Sequence, residues 1–320
     1  PPAFGGHDAA EIAEETPSCA SGVAILDYDS GDRSADRAIH ASLCAALAER
    51  ELGCLSLLAR WGEASVEALT SLPATLGDAA LTGVVVLQDF VVGGGEGRQA
   101  ATEALVTLDV PVISAVRLAD RERTEWQLST DGVPWEKVHN QVAMPELQGQ
   151  SQPHVVATDG PAQLDARTGL RVVGPLPLPG EIARLADRLV RWHRLRSRPN
   201  ADKRGAIVYY NHPPGRHNIG ADNLDVPATL LEVLRLLEGA GYRTGPVPES
   251  AEALLERLQA TGVNLPEDAG ALEAQHGAGV VLPGDDYRRY FASLPEALRE
   301  SVEGGPLHRL RALVGRALEA

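Results

Sequence analysis

The chain has 320 residues, of which 44% are hydrophobic, so it is long enough for about two domains with sizeable cores. Its formal net charge of −15 argues against general nucleic-acid binding, which needs a basic surface. No apolar run approaches the ~18 residues of a membrane span and no signal-peptide pattern occurs, so a membrane partner is not expected.

The first part of the chain alternates between short apolar runs, typical of buried strands, and amphipathic stretches, typical of helices. Residues 1–21 are acidic and aperiodic, and are predicted to be a mobile entry segment. Because strand and helix alternate, residues 22–119 are predicted to form a first α/β domain with a parallel sheet. The predicted strands are 22–28, 52–58, 83–88 and 110–115, and the predicted helices are 34–51, 63–76 and 98–108.

Residues 120–180 break this rhythm and are predicted to be an irregular connection with short antiparallel strands. A helix from about 180 to 197 then opens a second α/β domain, 181–320. The fold class expected is therefore α/β, with two consecutive flavodoxin-like or Rossmann-like parallel-sheet domains. The elements predicted after that helix are a buried strand at 205–210, a helix capped by Asp225, a short strand at 242–245, and helices at 251–261 and 307–318.

The three cysteines, Cys19, Cys44 and Cys54, match no metal-ligand spacing and cannot all pair with one another. We interpret them as buried free thiols, a pattern that fits a reducing cytoplasm. The chain opens with Pro1 and its single methionine is Met144, so we expect a trimmed product or a fragment of a longer protein.

The loop that follows the predicted strand 205–210 leaves the carboxyl end of that strand, where open α/β sheets bind their ligands. Pro213 and Pro214 remove two backbone N–H donors, and the chain has no Gly-x-x-x-x-Gly-Lys-Ser/Thr pattern, so this chain is not expected to be the ATPase. His212 and His217 flank the turn and could hold a divalent metal or take protons from a pyrrole nitrogen. The alternative is that both imidazoles are structural hydrogen-bonding groups.

Residues 204–245, RGAIVYYNHPPGRHNIGADNLDVPATLLEVLRLLEGAGYRTG, resemble the strand–loop–helix signature of the CobN-type cobaltochelatase large subunit. The magnesium chelatase H subunit is a more distant relative that typically has a Phe-Pro-Pro form of the loop, so His212 favours the cobalt branch. The segments 141–149, QVAMPELQG, and 109–114, DVPVIS, resemble two further stretches of the same family. Because the family's large subunit is a much longer chain, the resemblance implies an amino-terminal portion of it.

The resemblance implies that Co²⁺ is a substrate, inserted into hydrogenobyrinic acid a,c-diamide on the way to cobalamin. It also implies AAA+ motor subunits as partners that hydrolyse the ATP. His212 and His217 are then the catalytic and metal-binding candidates. Glu146, which Pro145 and Gly149 hold in place, is the catalytic carboxylate candidate, with an exposed loop carboxylate as the alternative. The substrate-binding candidates are Asn211, Gly215, Arg216, Asn218 and Gly220.

Two other functions stay open: a non-catalytic tetrapyrrole- or metal-binding module, and the corresponding part of a magnesium chelatase H-type subunit. Two weaker signals are also present. The glycine-rich run 93–97 lacks the Gly-x-Gly-x-x-Gly spacing, so a flexible loop or the rim of a macrocycle cleft is preferred to a nucleotide site. The basic residues between Arg191 and Arg204 either complement a helix C-terminus or attract the carboxylates of a corrinoid.

Overall fold

We describe the fold from a computed structural model of the chain. It describes residues 21–29, 36–210, 219–221, 223–261, 270, 273 and 281–305. The chain divides into two compact units, Pro1–Arg198 and Pro199–Ala320.

The first unit is built on a mostly parallel sheet, with a two-stranded hairpin beside it. Its strands are β1 (Ser21–Tyr28), β2 (Gly53–Ala59), β3 (Ala80–Val86), β4 (Val112–Glu122), β5 (Ser151–Asp159), β6 (Gln163–Leu164), β7 (Arg171–Val172) and β8 (Pro175–Pro177). The sheet order is β2-β1-β3-β4-β5-β8, while β6 and β7 form the hairpin. Strands β1 to β5 are mutually parallel and β8 is antiparallel to β5.

Helices follow the strands of this unit in alternation. They are α1 (Arg37–Ala48), α2 (Glu63–Leu76), α3 (Gly94–Leu108), α4 (Arg123–Leu128), α5 (Trp135–Val138), a π-helical turn (His139–Ala143), α6 (Met144–Glu146) and α7 (Pro179–Ser197). The α/β class with a parallel sheet is confirmed. The predicted helix 98–108 begins four residues earlier than expected, because the glycine-rich run forms the first turn of α3.

Both faces of the sheet are covered, which explains why the central strands are continuous apolar runs instead of alternating ones. Val23 and Ile25 of β1 pack on the side of α1 and α7, whereas Ala24 and Leu26 pack on the side of α2 and α3. The residues of α7 in this core are Ile182, Leu185, Ala186 and Leu189. The sequence analysis assigned α7 to a second domain, and the structure packs it on the first sheet.

The four strands predicted before residue 120 are confirmed, and the fifth parallel strand was missed. β5 lies inside the segment predicted to be an irregular connection and pairs with β4 over most of its length. Its apolar core is only Val155–Ala157, too short to stand out from its polar neighbours. The short antiparallel strands predicted for the same segment are present as β6, β7 and β8.

The second unit contains helices α8 (Val226–Gly239), α9 (Ala251–Thr261) and α10 (Gly284–Ala292), and residues 296–305 are also helical. The predicted buried strand 205–210 is wrong for the described residues, because the segment forms no strand and Val208 is 93% exposed. Residues 242–245 likewise form no strand. An apolar run becomes a buried strand only when a neighbouring strand pairs with it, and the described part of this unit supplies none.

Cys44 and Cys54 form a disulfide that joins α1 to the start of β2, with 5.3 Å between their Cα atoms. The expectation of free thiols is therefore wrong for this pair, and the argument from cysteines to a reducing compartment loses its support. The turn between α1 and β2 brings together two residues that are ten positions apart. Cys19 lies outside the described residues. None of the described helices combines the length and apolarity that crossing a membrane requires.

Candidate functional site

Most of the loop that the sequence singles out lies outside the described residues, namely Asn211, His212, Gly215, Arg216, His217 and Asn218. Gly220 is described, next to an isolated bridge between Ala221 and Leu224. The helix after the loop starts as predicted: the Asp225 carboxylate accepts a hydrogen bond from the backbone N–H of Ala228 at 3.0 Å. The roles of these loop residues stay predictions.

Glu146, the predicted catalytic carboxylate, is exposed in the short helix α6. Its backbone carbonyl accepts a hydrogen bond from Gly149, and its carboxylate has no ion pair within the described part of the chain. Its catalytic role stays a prediction, and the exposed position matches the alternative interpretation weighed for it.

Two of the buried residues of the same segment, Gln148 and Gln150, hold the chain between β3 and α3. The side-chain oxygen of Gln148 accepts from the Val92 N–H at 2.7 Å, and its amide donates to the Val92 carbonyl at 2.8 Å. Gln150 donates to the Phe90 carbonyl at 3.3 Å and to the Gln148 oxygen at 2.9 Å. The segment 141–150 therefore anchors the loop that leads into the glycine-rich turn.

The structure gathers a group of charged side chains near the carboxyl ends of β1 and β3, beside the middle of β4. Arg117 lies at its centre, on β4. Its guanidinium contacts Asp27 at 3.2 Å, Asp36 at 2.7 Å and Asp89 at 3.1 Å. It also donates to the Leu87 carbonyl at 2.6 Å. Asp27 is completely buried, and Arg117 links the ends of β1 and β3 to the start of α1.

The pKa values of these groups follow from burial and from the shared guanidinium. Burial alone would raise the pKa of Asp27, but the hydrogen bond with His40 and the charge of Arg117 outweigh it, so this pKa is lowered. At Asp89 burial prevails over the attraction of Arg117, and the pKa is raised. Burial acts to lower the pKa of Arg117, but the three aspartates raise it overall, so Arg117 stays charged.

A serine–histidine–aspartate chain of hydrogen bonds extends from the same cluster. His40 contacts Asp27 at 2.8 Å through Nε2 and Ser56 at 2.9 Å through Nδ1. The residue types are those of a nucleophilic triad, but the Ser56 residue is only 5% exposed, in the middle of β2. A hydroxyl closed to substrate cannot act as a nucleophile, so the chain of hydrogen bonds is structural.

This edge of the sheet contains a groove as well as the charged cluster. It lies between the N-terminal halves of α2 and α3, after the carboxyl ends of β2 and β3. The groove measures about 770 Å³ and is lined by Trp61, by the acidic residues Glu63, Glu67 and Glu96, and by the run 93–97. Gly93 has φ +84°, and a Cβ there would lie 2.5 Å from the Gly97 carbonyl oxygen.

Three carboxylates around the groove disfavour a phosphate, which supports the preference against a nucleotide site at the glycine-rich run. Within the described residues, no group of three or more histidine, cysteine, aspartate or glutamate side chains is arranged to hold a metal ion. The sequence analysis missed Asp27 and Arg117. The available signal was a charged residue inside an apolar strand, in AILDY for Asp27 and in SAVRLA for Arg117.

The sequence of this chain is similar to those of known proteins. The family model described as CobN/Magnesium Chelatase matches residues 7–305. The aerobic cobaltochelatase subunit CobN from Sinorhizobium sp is 30% identical over 237 residues, covering 73% of this chain and 18% of the relative. The subunit of the same name from Pseudomonas aeruginosa is 32% identical over 282 residues, covering 88% and 22%. The magnesium-chelatase subunit ChlH from Oryza sativa subsp. indica is 36% identical over 179 residues, covering 55% and 12%.

A solved structure shares the fold. The catalytic subunit of cobaltochelatase from Mycobacterium tuberculosis superposes with a TM-score of 0.67 at 24% identity, covering 93% of this chain and 25% of that one. The chain thus spans between about an eighth and a quarter of the length of these relatives.

Proposed function

The chain belongs to the CobN/magnesium chelatase family, and from that premise we propose that it is part of the large, tetrapyrrole-binding subunit of an ATP-dependent cobaltochelatase. The observation that carries the proposal is the family match over residues 7–305, which includes the loop 211–220 with His212 in its cobalt-type form. The reaction proposed is insertion of Co²⁺ into hydrogenobyrinic acid a,c-diamide during cobalamin biosynthesis.

Insertion of a metal ion into the macrocycle requires a metal ligand and a proton acceptor. Insertion into a corrinoid ring replaces its inner N–H bond by a metal–nitrogen bond and releases that proton. Neutral imidazole suits Co²⁺, so His212 and His217 are the proposed metal-binding residues, and either can accept the proton. Glu146 is the proposed carboxylate that accepts the proton when both imidazoles bind the metal. Asn211, Gly215, Arg216, Asn218 and Gly220 are proposed to bind the macrocycle.

ATP hydrolysis is assigned to partner AAA+ motor subunits. The sequence contains no Gly-x-x-x-x-Gly-Lys-Ser/Thr phosphate loop, and the prolines at 213 and 214 leave the candidate loop short of backbone N–H donors. Tight binding of ATP by this chain alone would contradict that assignment.

A magnesium chelatase H-type function is the second candidate, and a specific observation favours it. The rice ChlH subunit is 36% identical, a higher identity than that of either CobN relative. The identity covers a shorter stretch, 179 residues against 237 and 282, so we rank the cobalt function first.

The test is a spectroscopic titration of the chain with hydrogenobyrinic acid a,c-diamide and, separately, with protoporphyrin IX, each with Co²⁺ or Mg²⁺. We expect the corrinoid precursor to bind, and His212→Ala and His217→Ala each to weaken Co²⁺-dependent binding by at least about tenfold. His139→Ala, on the π-helical turn, is the matched control and should bind as the native chain does. Unchanged affinity in both loop variants would remove these histidines from the site, and preferential binding of protoporphyrin with Mg²⁺ would favour the second candidate.

A further inference from the structure

Helix α7 carries a row of arginines along the side that faces away from the core. We call Arg188, Arg191, Arg194 and Arg198 the arginine row; all four are exposed. At 100° per residue, Arg188, Arg191 and Arg194 fall within about 120° of the helix circumference and extend over about 9 Å, and Arg198 follows directly after the helix ends at Ser197. The opposite side of α7 is the apolar face packed on the sheet.

The described residues do not neutralise the arginine row. None of its guanidinium groups lies within 4 Å of a carboxylate in the described part of the chain, and Arg188 donates only to the Gln152 side chain at 3.0 Å. The acidic groups of α7 are engaged elsewhere: Asp187 with Arg50 at 2.7 Å, and Glu181 with Arg184 at 2.8 Å.

Helix electrostatics do not account for the whole row. Cations are favoured at the C-terminus of a helix, which explains Arg194 in the last turn and Arg198 directly after it, but not Arg188 and Arg191, which lie earlier in α7. Like charges at three- and four-residue spacing destabilise a helix, so an unpartnered row works against α7. In a chain of net charge −15, four arginines that no described carboxylate pairs with form a local exception to the acidic surface.

We propose that the arginine row is a docking surface for an acidic segment of a partner protein. Charge complementarity favours this occupant, since carboxylates spaced along one face of a helix can each accept from a guanidinium. A lipid surface is disfavoured because the apolar face of α7 is already buried in the core, leaving nothing to insert. A second copy is disfavoured because two chains of charge −15 repel each other.

The test measures binding of a fluorescent glutamate-rich helical peptide to the full chain by anisotropy at low and moderate salt. The patch variant combines Arg191→Gln, Arg194→Gln and Arg198→Gln. The matched control combines Arg37→Gln, Arg123→Gln and Arg167→Gln, which are exposed arginines elsewhere and change the net charge equally. We expect the patch variant to bind about tenfold more weakly, as the loss of three exposed ion pairs implies, and the control to stay within about twofold.

Several results would overturn the proposal. Equal losses in the two variants would show a response to net charge alone, and absence of binding at low salt would remove the surface. Tighter binding through the row to phosphatidylserine vesicles, duplex DNA or a tetrapyrrole carboxylate would assign it to another occupant. Row-dependent dimerisation in sedimentation velocity would assign it to a second copy. Unchanged circular dichroism and melting in both variants establish that the fold is intact.

Discussion

At the scale of single residues, ion pairs of Arg117 with Asp27, Asp36 and Asp89 stabilise the carboxyl edge of the sheet. A buried carboxylate such as Asp27 is tolerated only where a charge and hydrogen bonds compensate for the lost water. Arg117 supplies the charge, and His40 supplies a hydrogen bond at 2.8 Å. The cluster therefore links β1, β3 and β4 at the edge where this type of sheet binds ligands, and its formation is coupled to pH.

Asp27→Asn tests that coupling. Because the folded pKa of Asp27 is lowered, its contribution to stability is complete above the unfolded pKa and is lost as pH falls through the folded pKa. We expect the variant to be less stable than the native chain by about 2 kcal/mol at pH 7, and this difference to shrink as pH is lowered below about 4. Urea unfolding at a series of pH values measures it.

The control for Asp27→Asn is Asp78→Asn, at an exposed position after α2. It should change stability by less than about 0.5 kcal/mol at every pH. A difference between native and Asp27→Asn chains that grew towards acid would contradict a lowered pKa. Asp89 works in the opposite direction, because its pKa is raised and its contribution is lost as pH rises.

At the scale of elements, the segment 141–150 acts as a support for the loop between β3 and α3. Gln148 makes two hydrogen bonds with the backbone of Val92, and the loop then enters α3 through glycines that line the groove. Buried backbone groups that connect elements need partners, and here a side chain supplies them. The structural role of this segment thus rests on Gln148 and Gln150, independent of any role for Glu146.

We expect Gln148→Ala to destabilise the loop between β3 and α3. The substitution leaves the buried N–H and carbonyl of Val92 without their partner, so we expect a loss of about 1–3 kcal/mol in the free energy of unfolding. Hydrogen exchange should show faster exchange of the Val92 amide. Leu147→Ala, at the neighbouring 75% exposed position, is the control and should leave both quantities nearly unchanged. A protected Val92 amide in Gln148→Ala would mean that another group holds the loop.

At the scale of the whole molecule, the two units differ in the size of the apolar core that their described residues form. The first unit has apolar cores on both faces of a parallel sheet, whereas in the described part of the second unit the buried apolar residues are Val226, Leu231 and Leu254. The segment 204–209 makes no hydrogen bond in the structure, although its composition is that of a central strand.

Hydrogen exchange on the whole chain compares the two units directly. We expect peptides covering 204–209 to exchange at nearly the unprotected rate, because their amides have no acceptor, while those covering 23–26 in β1 exchange slowest. The β1 peptide is the matched control because its composition is similar. Strong protection of 204–209 would show that the segment pairs as a strand, as its sequence predicts.

The structural features that could be predicted from the sequence are those that depend on local periodicity. The four early strands, the alternation with helices and the cap at Asp225 were all predicted, because each depends on residues a few positions apart. The family was predicted as well, from the residues of 204–245, and the match over 7–305 confirms it. β5 was not predicted because its apolar core is short and its place in the sheet depends on pairing with β4.

The sequence by itself therefore determined the α/β class, the positions of the four early strands and the family, since these reside in local pattern and in a contiguous motif. Tertiary structure alone decided which charges meet. Arg117 and Asp27 are 90 residues apart, and they pair because β1 and β3 end beside the middle of β4 in the sheet. The disulfide between Cys44 and Cys54 and the exposure of Val208 were decided in the same way, because each depends on what lies beside a segment in space.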